Sequence, residues 1–237
     1  MGGLLGRVEV REGAAVLADS GVPLAMIWRR LEGNESPAQV AEGLAISAAD
    51  VLAALAFAGL GDPFGPPLMR AQPTRPALAG SLTDDALAAL LRGSARPARL
   101  ALAAGLLQGL DAWEASHEAA QEADDLGESA TAAYWHGIAH RREPDPGNAA
   151  YWFRRVGRHP LFRTLGAAAS EMIGQDDGPI PAEAAMLLKR GDWDPLAMIA
   201  LCGSARPKSP SEAIARRLQR VEMVHLLDLS ARIAFGD

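Results

Sequence analysis

One cysteine, Cys202, in 237 residues leaves no partner for an internal disulfide and fits a reducing compartment. It sits in the apolar run LAMIALCG with no histidine beside it in sequence, so it reads as a small core residue and not as a nucleophile. No stretch approaches the roughly 18 uninterrupted apolar residues of a membrane-spanning helix. The opening MGGLLGRVEVREG lacks both the apolar core and the basic lead of a secretion signal. The expectation is a soluble, cytoplasmic protein with no membrane partner. A positive charge balance is also missing: the formal charge of −6 and pI of about 5.4 exclude whole-molecule attraction to nucleic acid or anionic lipid. Nor is there a G-x-S-x-G elbow, a phosphate loop with Gly-Lys-Ser/Thr, an H-E-x-x-H pair or a dinucleotide fingerprint, so no familiar signature fixes a reaction.

Aromatic residues are scarce, at 5% of the chain, and what there is lies crowded. Half of them, and three of the five histidines, fall between Tyr134 and Phe162, in YWHGIAHRREPDPGNAAYWFRRVGRHPLF. Most of the remainder is Ala, Leu and Gly, so polar chemistry has few other places to live.

The length accommodates one large domain and one small one. Five prolines between Gly61 and Pro76 cannot continue a helix and stiffen an extended path. The expected division is residues 1–60, a proline-rich linker 61–79, and an all-α part 80–237. In the first part, Val8 and Val10 alternate with polar neighbours ahead of Gly13, which predicts a hairpin to about Ala18. Three short helices follow. Ser36-Pro37 is a cap-then-proline start, and Ser47 with Asp50 resembles a capping box. Gln39 to Leu55 fits a helix-turn-helix. Its second helix offers Ala48, Ala49, Asp50, Ala53 and Ala54 where a base reader needs Arg, Lys, Asn or Gln. Residues 1 to 64 hold four arginines, no lysine and eight acids, which repels phosphates, so nucleic acid is not an expected partner.

The stretch LADSGVPLAMIWRRLEGNESPAQVAEGLAISAADVLAALAFA is similar to a short bacterial domain family of unknown function. That family's pattern is a strand, GTR-I/V-P-V, a helix, G-x-S-x-x-x-I/V, and a final L-x-x-x-D-V-x-x-A-L. The resemblance covers about the first quarter of the chain and implies an antitoxin-like, winged-helix type fold. Ser20-Gly21 stands where the family has Thr-Arg, which removes a cation from any inherited nucleic-acid role.

Beyond the linker the pattern is helical throughout. It predicts helices over 82–91, from Pro97 to about Ala123 with a break near Gly109, 130–143 stopped by Pro144, 148–157 capped by Asn148, 165–173, 181–190, 195–202 and 210–235. The fold class expected is mainly α, a small helix-turn-helix-like part with a hairpin plus a helical bundle.

At about 100° per residue, Glu114, His117, Glu118 and Gln121 share one face of their helix, and His136, His140 and Glu143 share one face of the next. The connecting loop is short, so the two helices run antiparallel and these faces can meet. Imidazoles at i, i+4 with a carboxylate three residues on suit a divalent metal, and Glu114-x-x-His117 has the spacing of di-iron carboxylate bundles. Glu222-x-x-His225 repeats it. Glu114, His117, His136, His140 and Glu143 are therefore the candidate metal ligands. Hydrogen-bonded histidines at helix contacts are the alternative. A second group is cationic: Arg141, Arg142, Arg154, Arg155, Arg158 and Arg163 face only Glu143 and Asp145 in sequence. Arginine forks suit phosphate or carboxylate, or they staple the bundle to Glu114, Glu118, Glu122 and Asp124.

WEASHEAAQ followed by YWHGIAHRREPDPGNAAYWFRRVGRHP also resembles an uncharacterised bacterial helical family. Its pattern is W-x-x-x-H-x-x-x-Q, then H-x-x-x-H-R-R/K-E-x-D-x-x-N-A-x-Y-W-x-R-R, and WDPLAMIALC and LQRVEMVHLLD fit its ending. The resemblance implies relatives but no established activity. Its matching positions are His117, Gln121, His136, His140, Arg142, Glu143, Asp145, Asn148, Tyr151, Trp152, Arg154 and Arg155. From these, His117, Gln121, Arg142, Asn148, Tyr151, Arg154 and Arg155 form the candidate ligand-binding set. Two main functions follow: a non-catalytic binding or regulatory protein, docking or dimerising through its N-terminal part and holding a protein partner or small anionic ligand, or a metal-dependent enzyme. A DNA-binding antitoxin-like regulator is the third.

Overall fold

The computed structural model describes residues 3–175, 180–187 and 191–236. The protein is mainly α, with thirteen helices among those residues and one small hairpin near the N-terminus. Val8–Arg11 (β1) and Ala14–Leu17 (β2) pair antiparallel, Val8 opposite Leu17 and Arg11 opposite Ala14. Glu12 and Gly13 turn between them with φ of 51° and 81°, the two-residue turn whose twist matches that of the strands.

Helices α1 (Leu24–Glu32), α2 (Pro37–Leu44) and α3 (Ala48–Leu60) follow. Both expected caps form. Ser36 and Gln39 exchange side-chain and backbone hydrogen bonds, as do Ser47 and Asp50, and each capping residue contributes about 1 kcal/mol. Between α2 and α3 the chain turns by 118° through Ala45 in the left-handed conformation. Residues Val51 to Ala56 and Leu60 of α3 are all buried, because the helix is packed on α1, α2 and the 3-10 turn Leu4–Arg7 and then on α6 (Arg96–Gly109). At that last crossing a Cβ on Gly59 would lie 2.5 Å from the backbone of Gly109. Only glycine allows that approach.

The proline-rich segment is irregular to Arg75, and a short helix, α4 (Pro76–Gly80), begins inside the stretch expected as linker. Its carbonyls are held along the way. Arg216 donates to Gly65 O at 2.5 Å, Gln219 to Pro66 O and Pro67 O at 3.3 and 3.2 Å, and Arg142 to Pro67 O at 3.2 Å. Arg70 N in turn donates to Arg142 O at 2.7 Å. With few backbone donors of its own, this segment is strapped down by side chains that reach it from elsewhere.

The rest is α5 (Asp84–Leu90), α6, α7 (Trp113–Asp125), α8 (Ser129–Arg142), α9 (Pro146–Val156), α10 (Leu161–Gly174), α11 (Ala182–Leu187), α12 (Pro195–Ser204) and α13 (Pro210–Phe235). The break expected near Gly109 forms, with Asp111 left-handed at φ 60°. Two boundaries differ more clearly. Asp145, not Asn148, caps α9: its Oδ1 accepts from Asn148 N at 3.0 Å, and Pro146 takes the first helical position. The helix expected over 165–173 starts four residues earlier, at Leu161. The end of the helix expected over 181–190 lies outside the described residues.

One apolar core runs from Leu17, Leu24 and Ile27 through Leu102, Leu106 and Ile138 to Leu218 and Leu226. Each such side chain, fully buried, contributes roughly 1.5–3 kcal/mol. Helix α8 lies at its centre, packed on α6, α7, α9 and α13, and every residue from Thr131 to Arg142 is buried. Among the described residues no single helix is long and apolar enough to cross a membrane.

Candidate metal centre

Helices α7, α8 and α9 are joined by tight turns, so each runs antiparallel to the one before it. His117 on α7 thereby meets His136 and His140, one turn apart on α8. The three imidazoles converge, each offering a nitrogen within 4.8 Å of the others. Nε2 of His117 and His136 are 2.8 Å apart, and the ring of His140 lies 5.0 and 4.9 Å from theirs.

Aromatic rings wall the cluster. Trp113 stacks on His117 at 5.0 Å and Trp152 on His136 at 3.8 Å. Each tryptophan is covered by a guanidinium, Arg70 over Trp113 at 4.7 Å and Arg155 over Trp152 at 5.7 Å. Burial, reinforced by the other two imidazoles, pushes His136 down to about 3. Burial and His140 likewise lower His117. Both are thus neutral near pH 7, the form that donates a lone pair to a metal. Nδ1 of His136 is buried without a hydrogen-bond partner.

Of the expected metal ligands, His117, His136 and His140 come together. Glu143 reaches His140 Nδ1 at 3.0 Å. Glu114 does not join them. Its side chain is 76% exposed beside Arg70 at 3.6 Å, because the first turn of α7 points it outward while His117, three residues on, turns toward α8.

The expected ligand-binding set divides similarly. Asn148 rests against His140, its amide nitrogen 3.3 and 3.0 Å from the two ring nitrogens, too near both to lie along either lone pair. Gln121 bonds Asp125 at 3.0 Å. Arg155 staples α9 to α7 through Asp124 at 2.8 Å. Tyr151 and Arg154 are exposed on α9. Arg142 is the correction: it is fully buried and donates to Gln108 O at 2.9 Å, Gln108 Oε1 at 2.6 Å and Pro67 O, and it pairs with Asp111. Four of its five N–H donors go to Pro67, Gln108 and Asp111 around the break after α6, so this buried group serves the fold and not a ligand.

Glu222-x-x-His225 likewise splits. His225 Nδ1 sits 2.8 Å from Val221 O, whereas Glu222, three residues before it, lies fully buried. Its carboxylate accepts from Arg141 at 2.5 Å, Tyr134 at 3.0 Å and Trp193 at 3.2 Å. Burial opposes the Arg141 cation, but Glu222 beside it raises its pKa; burial, with Glu222, raises that of Tyr134 as well. Cys202 is pushed up to about 11 by burial, in keeping with an inert thiol.

Residues 8–58 match the family described as Protein of unknown function (DUF433), which bears out the resemblance of this part to a domain family of unknown function and says nothing of an antitoxin role. No curated protein and no solved structure matches the chain.

Proposed function

We propose that the helical part binds one divalent transition metal of the zinc class through His117, His136 and His140. The observation that carries this reading is the convergence of three imidazole nitrogens within 4.8 Å. Three protein ligands leave a fourth position for water or a ligand, the arrangement of catalytic zinc sites, where bound water ionises near pH 7. Metal-assisted hydrolysis is the reaction class this suits. Elemental analysis of the purified protein tests it: about one zinc, iron or manganese per chain is expected, and none in a His136→Ala, His140→Ala double variant that keeps its helical content. A folded, metal-free wild type that takes up no added metal contradicts it.

A non-catalytic binder of a small anionic ligand or peptide is the second reading. It is favoured by the guanidinium groups of Arg154 and Arg155, exposed on α9, and of Arg70, exposed on the irregular segment beside α7. Val10 and Met26, 65% and 46% exposed, favour docking or homodimerisation through residues 1–60, measurable as molar mass by light scattering. The 118° turn between α2 and α3 suits a helix-turn-helix, but burial of α3 and the acidic balance of the region count against a DNA-reading, antitoxin-like role. Weak, salt-insensitive duplex binding is expected. The single cysteine suits a cytoplasmic location. The motif from Trp113 to Arg155 is proposed to mark relatives that share the imidazole cluster.

A further inference from the structure

We infer that Glu143 is the positioning residue of the metal centre: it holds His140 with its proton on Nδ1 and so commits Nε2 to the metal. The inference rests on the metal reading above and concerns which nitrogen binds and what fixes it. A neutral imidazole carries one proton, and its hydrogen-bond partner decides where that proton sits. At His140 the carboxylate oxygen of Glu143 is 3.0 Å from Nδ1, and an ionised carboxylate only accepts, so Nδ1 donates. Nε2 is then the unprotonated atom. Asn148 does not occupy it, since its amide nitrogen straddles the ring at 3.3 and 3.0 Å from the two nitrogens. The lone pair of Nε2 is therefore left for the cluster.

The three histidines are unequal in this respect. Nδ1 of His136 is buried with no acceptor, and the Nε2 atoms of His117 and His136 contact each other, so metal-free they share a single proton between them. His140 alone is held by an anionic acceptor, through a side chain that begins three residues on, where α8 ends. A carboxylate behind a ligating imidazole fixes the ring's orientation and raises its basicity. Glu143 thereby makes His140 the preorganised ligand onto which the His117–His136 pair would close, once the shared proton moves to the donor ring's own Nδ1 and both Nε2 lone pairs are free for a metal.

The test uses the full chain, Zn²⁺ alone as probe, and two variants, Glu143→Ala and Glu143→Gln. Glu143 is partly exposed at the end of α8, so both are expected to keep the wild-type circular dichroism. Removing the acceptor is expected to weaken zinc binding about 10- to 100-fold. Glutamine, whose amide oxygen still accepts from Nδ1, is expected to recover part of that loss. Long-range proton–nitrogen spectra of the metal-free, histidine-labelled protein are expected to show His140 as the Nδ1–H tautomer, with the Nε2–H form appearing in Glu143→Ala. Unchanged zinc affinity in Glu143→Ala, or an Nε2–H tautomer at His140 in the wild type, overturns the assignment and leaves the metal reading standing. A wild type that binds no zinc overturns the metal reading and with it the role of Glu143, whichever tautomer His140 shows.

Discussion

Two polar centres occupy opposite faces of α8 and solve the same burial problem differently. On one face Tyr134 and Arg141, two turns apart, converge on Glu222 of α13, where a cation, a phenol and the Trp193 indole satisfy one carboxylate. On the other, His136 and His140, one turn apart, converge on His117, each ring offering a nitrogen within 4.8 Å of the others. The first centre is closed at its carboxylate, each Glu222 oxygen taken by a protein donor, while Nε and Nη1 of Arg141 stay buried without a partner. In the second, the Nε2 atoms of His117 and His136 have only each other, and Nδ1 of His136 has no partner at all. The difference teaches that burial alone does not mark a candidate site and the groups brought together do: a carboxylate met by three donors in one centre, three imidazoles in the other. The paired Glu-x-x-His spacings make the same point: in Glu114-x-x-His117 the histidine is used and the glutamate is in solvent, while in Glu222-x-x-His225 the reverse holds.

Breaking the closed centre should have the largest effect on stability. Glu222→Ala leaves Arg141 buried without its counter-charge, and a loss of about 3–5 kcal/mol in urea unfolding is expected. Zinc uptake by the folded fraction should be unchanged. The open centre should respond to metal instead: at zinc concentrations about 100 times Kd, wild type gains about 2.7 kcal/mol, and His136→Ala, His140→Ala gains nothing, read as shifts of the unfolding midpoint.

Acid sharpens the comparison from the closed side. His159, buried beside Tyr134 with its Nε2 unpartnered, is pushed by burial from the usual 6.5 to about 4. The unfolded chain binds a proton there first. Stability is therefore whole above about pH 6.5, falls as pH drops toward 4 and is not lost further below, by about 2 kcal/mol in all once relaxation admits some water. His159→Gln should flatten that window in pH-dependent unfolding. The smallest effect belongs to Glu114→Ala, under about 0.5 kcal/mol for an exposed pair, with zinc affinity unaltered. A marked loss of zinc there would return Glu114 to the ligand set.

Much of this was legible in the residues. Ser209-Pro210 at the start of α13 and Gly236 after it mark that helix to the residue, because a side-chain cap, a proline at the first position and a left-handed glycine are local chemistry. The i, i+4 histidines and the short α7–α8 loop bring His117 to His136 by geometry alone. What period and spacing do not carry is burial on every side. Arg141 and Arg142 look like a solvated pair at a helix end, yet α6, α7, α9 and α13 enclose α8 completely. Their partners, Glu222 and Asp111, come from 81 and 31 residues away. Asp111 sits in a helix break and is chosen by tertiary contact. The strapped prolines are similar, since the side chains that hold Gly65, Pro66 and Pro67 lie on α8 and α13.

The central claim is that three imidazole nitrogens bind one metal, and X-ray absorption on the zinc-loaded protein reads the coordination shell directly. Three nitrogen neighbours at about 2.0–2.1 Å with the multiple-scattering signature of imidazole, plus one lighter-atom ligand, are the result expected here. A shell of oxygens alone, or one containing the sulfur of Cys202, would contradict it.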